Sequence, residues 1–397
     1  MNEYENRALG LMRDVFARKD ARLFFAPGRV NLIGEHIDYN GGRVMPCSLS
    51  IGTYAAAAPR SDGRINLVSA DMPGMRIEAS IPELFELAHE PAAFCGFSWG
   101  AYPLGVCAKL REAGYDLGGF DMAVSGSLPR GSGLSSSASL EVLTCAVLKE
   151  LFSLPLTGPE AARLSVSAER DCAGVNCGIM DQFICAVGRK DHALLLDTGT
   201  LEHRLIPFDM RGNVLLIMNT RKPRRLADSK YNERRAECEQ ALELLNAVLP
   251  ERAEHLCDLT PEQFDEYASA LPPVLYKRAR HAVYENARVE IAAQALESGD
   301  IARLGELLNA SHDSLRSDYE VTGRELDSIV DAARMQEGVL GARMTGAGFG
   351  GCAIALAESG RAEEISAEVS RIYKDETGYD CEILCAQTAD APFGGNE

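Results

Sequence analysis

The chain has 397 residues, 46% hydrophobic and 25% charged, a composition that sustains folded domains with their own cores and excludes a disordered, fibrous or disulfide-stapled miniature protein. Its 58 acidic and 40 basic residues give a formal net charge of −18, a field that repels nucleic-acid phosphates and anionic lipid, so neither is expected as a general partner. The 12 cysteines show no metal-ligand or disulfide-framework spacing, the N-terminus lacks the plan of a signal peptide, and no apolar run approaches ~20 residues, so reduced thiols and a cytoplasmic location are expected.

In chain order, Leu23-Phe24-Phe25-Ala26 reads as a short apolar strand. Tyr54 to Arg60 and Arg64 to Ser69 flank Asp62-Gly63, a favoured tight-turn pair, and are expected to form a hairpin. Phe120 to Val124 is a further strand, followed by a Gly/Ser-rich loop and then by Leu140, Leu143, Val147 and Leu151 at helical spacing. Thr157, with Glu160 three positions on, reads as a capping box opening a helix that runs to Glu169. A strand near His192 to Leu196 precedes a change of texture around Pro207 to Gly212, after which helical periodicity dominates from Leu226 to about Met335. That change places a domain boundary near residue 205, dividing the chain into 1–205 and 206–397. The chain closes with a glycine cluster and the strand-like Cys352 to Leu356. Trp99 and Tyr102 are read as core residues.

Three glycine-bracketed segments carry candidate chemistry. The first, GRVNLIGEHIDYNGG (Gly28 to Gly42), gathers Arg29, Glu35, His36, Asp38, Tyr39 and Asn40. Carboxylates accept hydrogen bonds from neighbouring hydroxyls and glycines let backbone approach a ligand, so the segment suits a polyol, unless it is only a polar surface turn. The second, PRGSGLSSSAS (Pro129 to Ser139), lies between a predicted strand and a predicted helix, where converging N–H groups suit phosphate oxygens. It lacks a P-loop lysine, since Ser132 stands at that place. Ser137 has a hydroxyl of the kind that binds Mg²⁺ in other phosphate loops, and the bland alternative for the segment is a serine-rich linker. The third, MTGAGFGG (Met344 to Gly351), matches the glycine spacing of a dinucleotide-binding turn, but a strand-like stretch follows it where that fold needs a helix.

Among single residues, Asp181 sits in an apolar, small-residue context and reads as a base, a buried anchor or a helix cap. On pattern alone Glu169 reads as a solvated helix end and Tyr231 as core. The basic run Arg221, Lys222, Arg224 and Arg225 reads as a solvated loop or as a patch near a nucleotide.

The three segments in this order, with CGIMDQF around Asp181 and LADSKYNERRAEC around Tyr231, resemble the GHMP family of small-molecule kinases from about Leu23 to Leu356, and the first segment resembles that of the galactose-phosphorylating members. The resemblance implies an α/β (α+β) fold of two domains with the active site in the cleft between them, and transfer of the ATP γ-phosphoryl group to O1 of galactose. Glu35, His36, Ile37, Asp38 and Tyr231 match the sugar-binding positions. Gly131, Ser132, Gly133, Leu134, Ser135, Ser136 and Ser137 match the ATP phosphate loop, with Ser137 and Glu169 at the Mg²⁺ positions. Asp181 matches the catalytic base and Arg29 the transition-state stabiliser, which displaces the bland readings of Glu169 and Tyr231. Ile37 stands where threonine is usual, and Arg130 adds charge to the phosphate loop. No obligate protein partner is evident. A kinase for an N-acetylated or pentose sugar, and a non-catalytic sugar and nucleotide sensor, are the alternatives.

Overall fold

The computed structural model describes all residues except 88–90, 130–132, 176, 223–226 and 396–397. Twelve strands form three sheets among the described residues. The first sheet has the order β1-β3-β6-β4-β5, from β1 (Arg22–Asn31), β3 (Pro46–Arg60), β4 (Arg64–Ser69), β5 (Arg76–Ser80) and β6 (Gly119–Gly126). The strands flanking Asp62-Gly63 do not form the expected hairpin: β6 lies between them, antiparallel to β3 and parallel to β4. Seven of the eight residues of β6 are buried, so this strand belongs at the sheet centre, and its burial outweighs the local turn signal. Arg60 then secures the turn by bonding both Asp62 and the buried Asp121 of β6.

β2 (Arg43–Val44), β7 (His192–Asp197) and β8 (His203–Pro207) make a small sheet. The four-stranded sheet has the order β10-β11-β9-β12, from β9 (Asn213–Asn219), β10 (Val339–Thr345), β11 (Cys352–Glu358) and β12 (Glu382–Ala386). Residues 387–393 then return to the first half of the chain, bonding Ser50, Ser48, Gly188 and Ala186.

The helices are α1 (Glu3–Phe16), α2 (Ile81–Leu87), α3 (Ala101–Glu112), α4 (Ser136–Phe152), α5 (Gly158–Asp171), α6 (Met180–Val187), α7 (Ala227–Asn246), α8 (Pro261–Tyr267), α9 (Pro273–Ser298), α10 (Ile301–Ser314), α11 (Arg324–Arg334) and α12 (Ala362–Thr377). The helix expected to open at Thr157 does so, but without the capping box, because Glu160 accepts the Tyr115 hydroxyl at 2.7 Å instead. One continuous apolar core runs through both halves, and α1 covers a small second cluster against β3 and β6. Trp99 and Tyr102 pack against that core. Among the described residues no helix is long and apolar enough to cross a membrane.

Two local features position the site. The β1–β3 register shifts between Pro27 and Arg29, a bulge of the kind that re-aims a side chain. Gly28 is required there, because a Cβ would sit 2.6 Å from Leu128 and 2.9 Å from the Leu134 carbonyl oxygen. The third glycine segment joins the antiparallel pair β10–β11 with no helix after it, so it is a turn and not a dinucleotide-binding fingerprint.

Candidate active site

Residues more than a hundred positions apart meet at Arg29, on β1 just past the bulge. Its Nε and Nη2 donate to the two carboxylate oxygens of Asp181, in the first turn of α6, at 2.8 and 2.6 Å. Its Nη1 donates to the Gly133 carbonyl at 2.7 Å, and its backbone N–H to the Leu134 carbonyl. Ser135 Oγ donates to the same Asp181 from the other side. Burial alone would lower the Arg29 pKa, but the Asp181 charge offsets this and holds it above its usual value, so the guanidinium is a permanent cation here. Asp181 keeps partial exposure, 29% of its side chain, and so remains reachable by a ligand.

Ser135 is left-handed (φ 62°) and precedes the first residue of α4, Ser136, without capping the helix by its own side chain. The first N–H groups of this 17-residue helix are thus open to an anion. Leu134 is buried and Ser136 exposed. Gly131, Ser132 and Arg130 lie outside the described residues, as do Arg224 and Arg225.

Glu169, near the end of α5, is only 5% exposed, contrary to its solvated reading from pattern. Burial raises its pKa, and a hydrogen bond from Ser137 opposes that rise. The Gln182 amide bridges it to Glu141, and Cys177 Sγ donates to it at 3.3 Å. Glu141 is fully buried, and its pKa is raised well above the usual value by burial and by Glu169. A hydroxyl beside a carboxylate is a hard-oxygen donor set that fits Mg²⁺, which commonly takes one or two protein oxygens together with substrate phosphates. No group of three His, Cys, Asp or Glu able to hold a metal occurs among the described residues.

The first segment divides into an anchor and an open end. Glu35 is 3% exposed, and protein groups surround its carboxylate: Thr345 Oγ1 (3.1 Å) and Gly346 N–H (2.6 Å) on Oε1, Asn31 and Arg343 on Oε2. Arg343 approaches at 2.9 Å as a charge contact off the hydrogen-bond direction. Ile37 is fully buried, and its carbonyl accepts from the Asn40 and Gly42 N–H groups. Both His36 nitrogens are engaged, with Tyr39 and with the Ala347 carbonyl. Asp38, half-buried, faces a cavity of about 480 Å³ lined also by Tyr231, Gly178, Thr198, Arg163 and Arg170. Burial and repulsion by Asp181 push its carboxyl up to about 6. Tyr231, read from pattern as core, borders this cavity and stacks near His36 and Tyr39.

Sequence reasoning missed Arg343, Glu141 and Tyr319. A charge inside an apolar stripe was the available signal for Glu141, between Leu140 and Val142, and for Arg343, between Ala342 and Met344. Nothing local marks Tyr319.

Family models match along the chain: the GHMP kinases N terminal domain at residues 101–189, the GHMP kinases C terminal at 292–375, and the galactokinase galactose-binding signature at 13–59. Mevalonate kinase of Methanococcus jannaschii shares the fold, with a TM-score of 0.68 and 19% identity over 94% of this chain and 100% of that one. The fold and the glycine-lined junction thus define a GHMP-type small-molecule kinase. Galactokinases of Lactiplantibacillus plantarum and Staphylococcus carnosus are 46% and 49% identical over 381 and 360 residues, covering 96% and 90% of each chain. The Lactococcus lactis galactokinase structure, complexed with galactose, superposes with a TM-score of 0.88 at 43% identity over 96% of this chain and 97% of that one. The chain belongs to the galactokinase family.

Proposed function

We propose that this protein transfers the γ-phosphoryl group of ATP to O1 of α-D-galactose, giving α-D-galactose 1-phosphate and ADP, in the cytoplasm and in a cleft between domains that divide near residue 205. The observation that carries the reading is the Arg29–Asp181 fork, which joins the phosphate loop at Gly133 and Ser135 to the side of the molecule where Asp38 faces its cavity. Buried free thiols such as Cys47 and Cys185 agree with a reducing compartment.

Residues 131–137 and the open N-terminus of α4 would cradle the phosphates. Ser137 and Glu169 would hold Mg²⁺, which when bound neutralises charge on the phosphate oxygens. Asp181 would accept the O1 proton, a contribution of about a hundredfold to ten-thousandfold in rate. Arg29 orients that carboxylate with two bonds and puts a fixed cation where charge builds on the transferring oxygens. Because the transition state is loose, this positioning is the larger share of what the chain supplies.

On the sugar side, Asp38 and Tyr231 offer the open polar groups, and Ile37 and His36 the shape of the turn. Glu35 would reach a hydroxyl by exchanging one of its bonds to Thr345 or Gly346. Discrimination follows, since a hydroxyl of the wrong configuration leaves a half-buried carboxylate unsatisfied at a cost of about 1–3 kcal/mol.

Steady-state ADP release with galactose, glucose, N-acetylgalactosamine and a pentose decides the matter. Turnover with galactose well above the others supports the reading. Equal turnover of glucose, or of an N-acetylated or pentose sugar, would replace the substrate, and binding of galactose and ATP without turnover would leave a sensor.

A further inference from the structure

His36, like the adjacent Glu35 and unlike Asp38 at the cavity, has both polar atoms of its side chain committed to protein. The residue is left-handed (φ 61°), a conformation rare outside glycine that turns its ring toward the second half of the chain. Nε2 lies 3.2 Å from the Ala347 carbonyl oxygen, and Nδ1 lies 2.8 Å from the Tyr39 hydroxyl. A carbonyl only accepts, so Nε2 bears the hydrogen. Burial pushes the imidazole down to about 3, so the ring is neutral and Nδ1 must accept from the Tyr39 hydroxyl. With its hydrogen used, the Tyr39 oxygen accepts from the Tyr319 hydroxyl at 2.8 Å, and the Tyr319 oxygen in turn faces Cys238 Sγ at 3.1 Å. One carbonyl therefore sets the donor direction of the whole chain, from Cys238 through Tyr319, Tyr39 and His36 to Ala347.

Ala347 belongs to the turn between β10 and β11. Its neighbour Gly346 donates to Glu35 Oε1 at 2.6 Å, and a Cβ on Gly346 would lie 3.7 Å from the Gly133 carbonyl of the phosphate loop. The turn thus bonds the sugar loop on one side and lies within a side-chain carbon's reach of the phosphate loop on the other.

We propose that His36 is a positioning residue that couples the two substrate sites, its Nε2–H bond to Ala347 holding the sugar loop against the glycine turn that borders the phosphate loop. Ordering one loop then lowers the cost of ordering the other. The inference rests on reading residues 35–38 as the sugar loop.

The test is calorimetric binding of galactose to the full chain with and without a non-hydrolysable ATP analogue and Mg²⁺. In the unmodified protein the analogue should tighten galactose binding by about fivefold or more, the lower range of ordinary coupling. His36→Leu should bring that factor within about twofold of unity, whereas His36→Gln, which keeps a donor near the Nε2 position, should restore most of it. Tyr39→Phe, which strips Nδ1 of its donor, should weaken coupling more than Tyr319→Phe, after which Tyr39 still donates. Undiminished coupling in His36→Leu, or an equal loss in the two tyrosine variants, overturns the proposal. ¹⁵N NMR should show His36 as the Nε2–H tautomer from pH 8 to 5. An Nδ1–H tautomer or a midpoint near 6 overturns the proposal too, and does so even if the unmodified protein binds no galactose, a separate outcome that would sink the sugar reading itself.

Discussion

Asp181, at the proposed phosphate end of the site, lies in the fork of Arg29 with Ser135 on its other side. Asp38, at the proposed sugar end, makes no ion pair among the described residues, faces a cavity that Arg163 and Arg170 also line, and receives backbone N–H groups of its own turn. The same residue type is compensated where a fixed geometry is needed and left uncompensated where a ligand's hydroxyls can complete it. On the proposed reading, the first arrangement would let the carboxylate direct chemistry from a defined position. The second would store an unfavourable charge that a polyol relieves, so part of the binding free energy would be set aside in the free protein.

The comparison breaks first at Asp181. Asp181→Asn keeps the size but gives up the charge pairing with Arg29 and the proton acceptor, and kcat for galactose-dependent ADP release should fall by about 10² to 10⁴. A loss under tenfold would mean that Asp181 only shapes the site. Next, Asp38→Asn should lower kcat/KM for galactose by about tenfold to a hundredfold, through loss of charge-assisted acceptors, with the KM for ATP little changed. The pH dependence sharpens the contrast. With the Asp38 carboxyl at about 6, its proton below that pH removes an acceptor, so the galactose KM should rise as pH falls through 6, approaching tenfold per unit. In Asp38→Asn that dependence should flatten.

The stability effect has the other sign. A carboxyl raised from its ordinary 3.8 to about 6 binds more protons folded than unfolded between those values. Its destabilising cost is therefore fully present above pH 6 and absent below about 4. Asp38→Asn should be more stable than the unmodified chain by ~1–2 kcal/mol at pH 8, with the gain fading toward pH 4 in thermal melts. A variant that loses substrate affinity while gaining stability separates a functional charge from a structural one. The smallest effect expected is that of Gly346→Ala. Its φ of +81° carries a strain of about 1–2 kcal/mol for a residue with a Cβ, readable as a lowered melting temperature.

What was legible in the sequence was what chemistry compresses into short segments. On the proposed reading, Arg29 to Asp38 and Gly133 to Ser137 cluster because one ligand would touch several groups on one loop, and the strand, loop and helix around them have local periodicity. Contacts set by distant chain were not legible. The Asp62-Gly63 pair gave a true turn and a false hairpin, because β6, more than fifty residues on, enters between the two strands. Thr157 opened a helix without its box, because Tyr115 captures Glu160. Glu169 reads as solvated until α4 and α6 close over it, and the anchor role of Glu35 depends on Arg343, Thr345 and Gly346, some three hundred positions away.

The most direct test is a crystal structure with galactose and a non-hydrolysable ATP analogue. The account predicts the anomeric O1 within about 2.6–3.2 Å of an Asp181 carboxylate oxygen, with the terminal phosphorus on its far side. A sugar bound with O1 turned away from Asp181, or seated in a different cavity from Asp38, would contradict it.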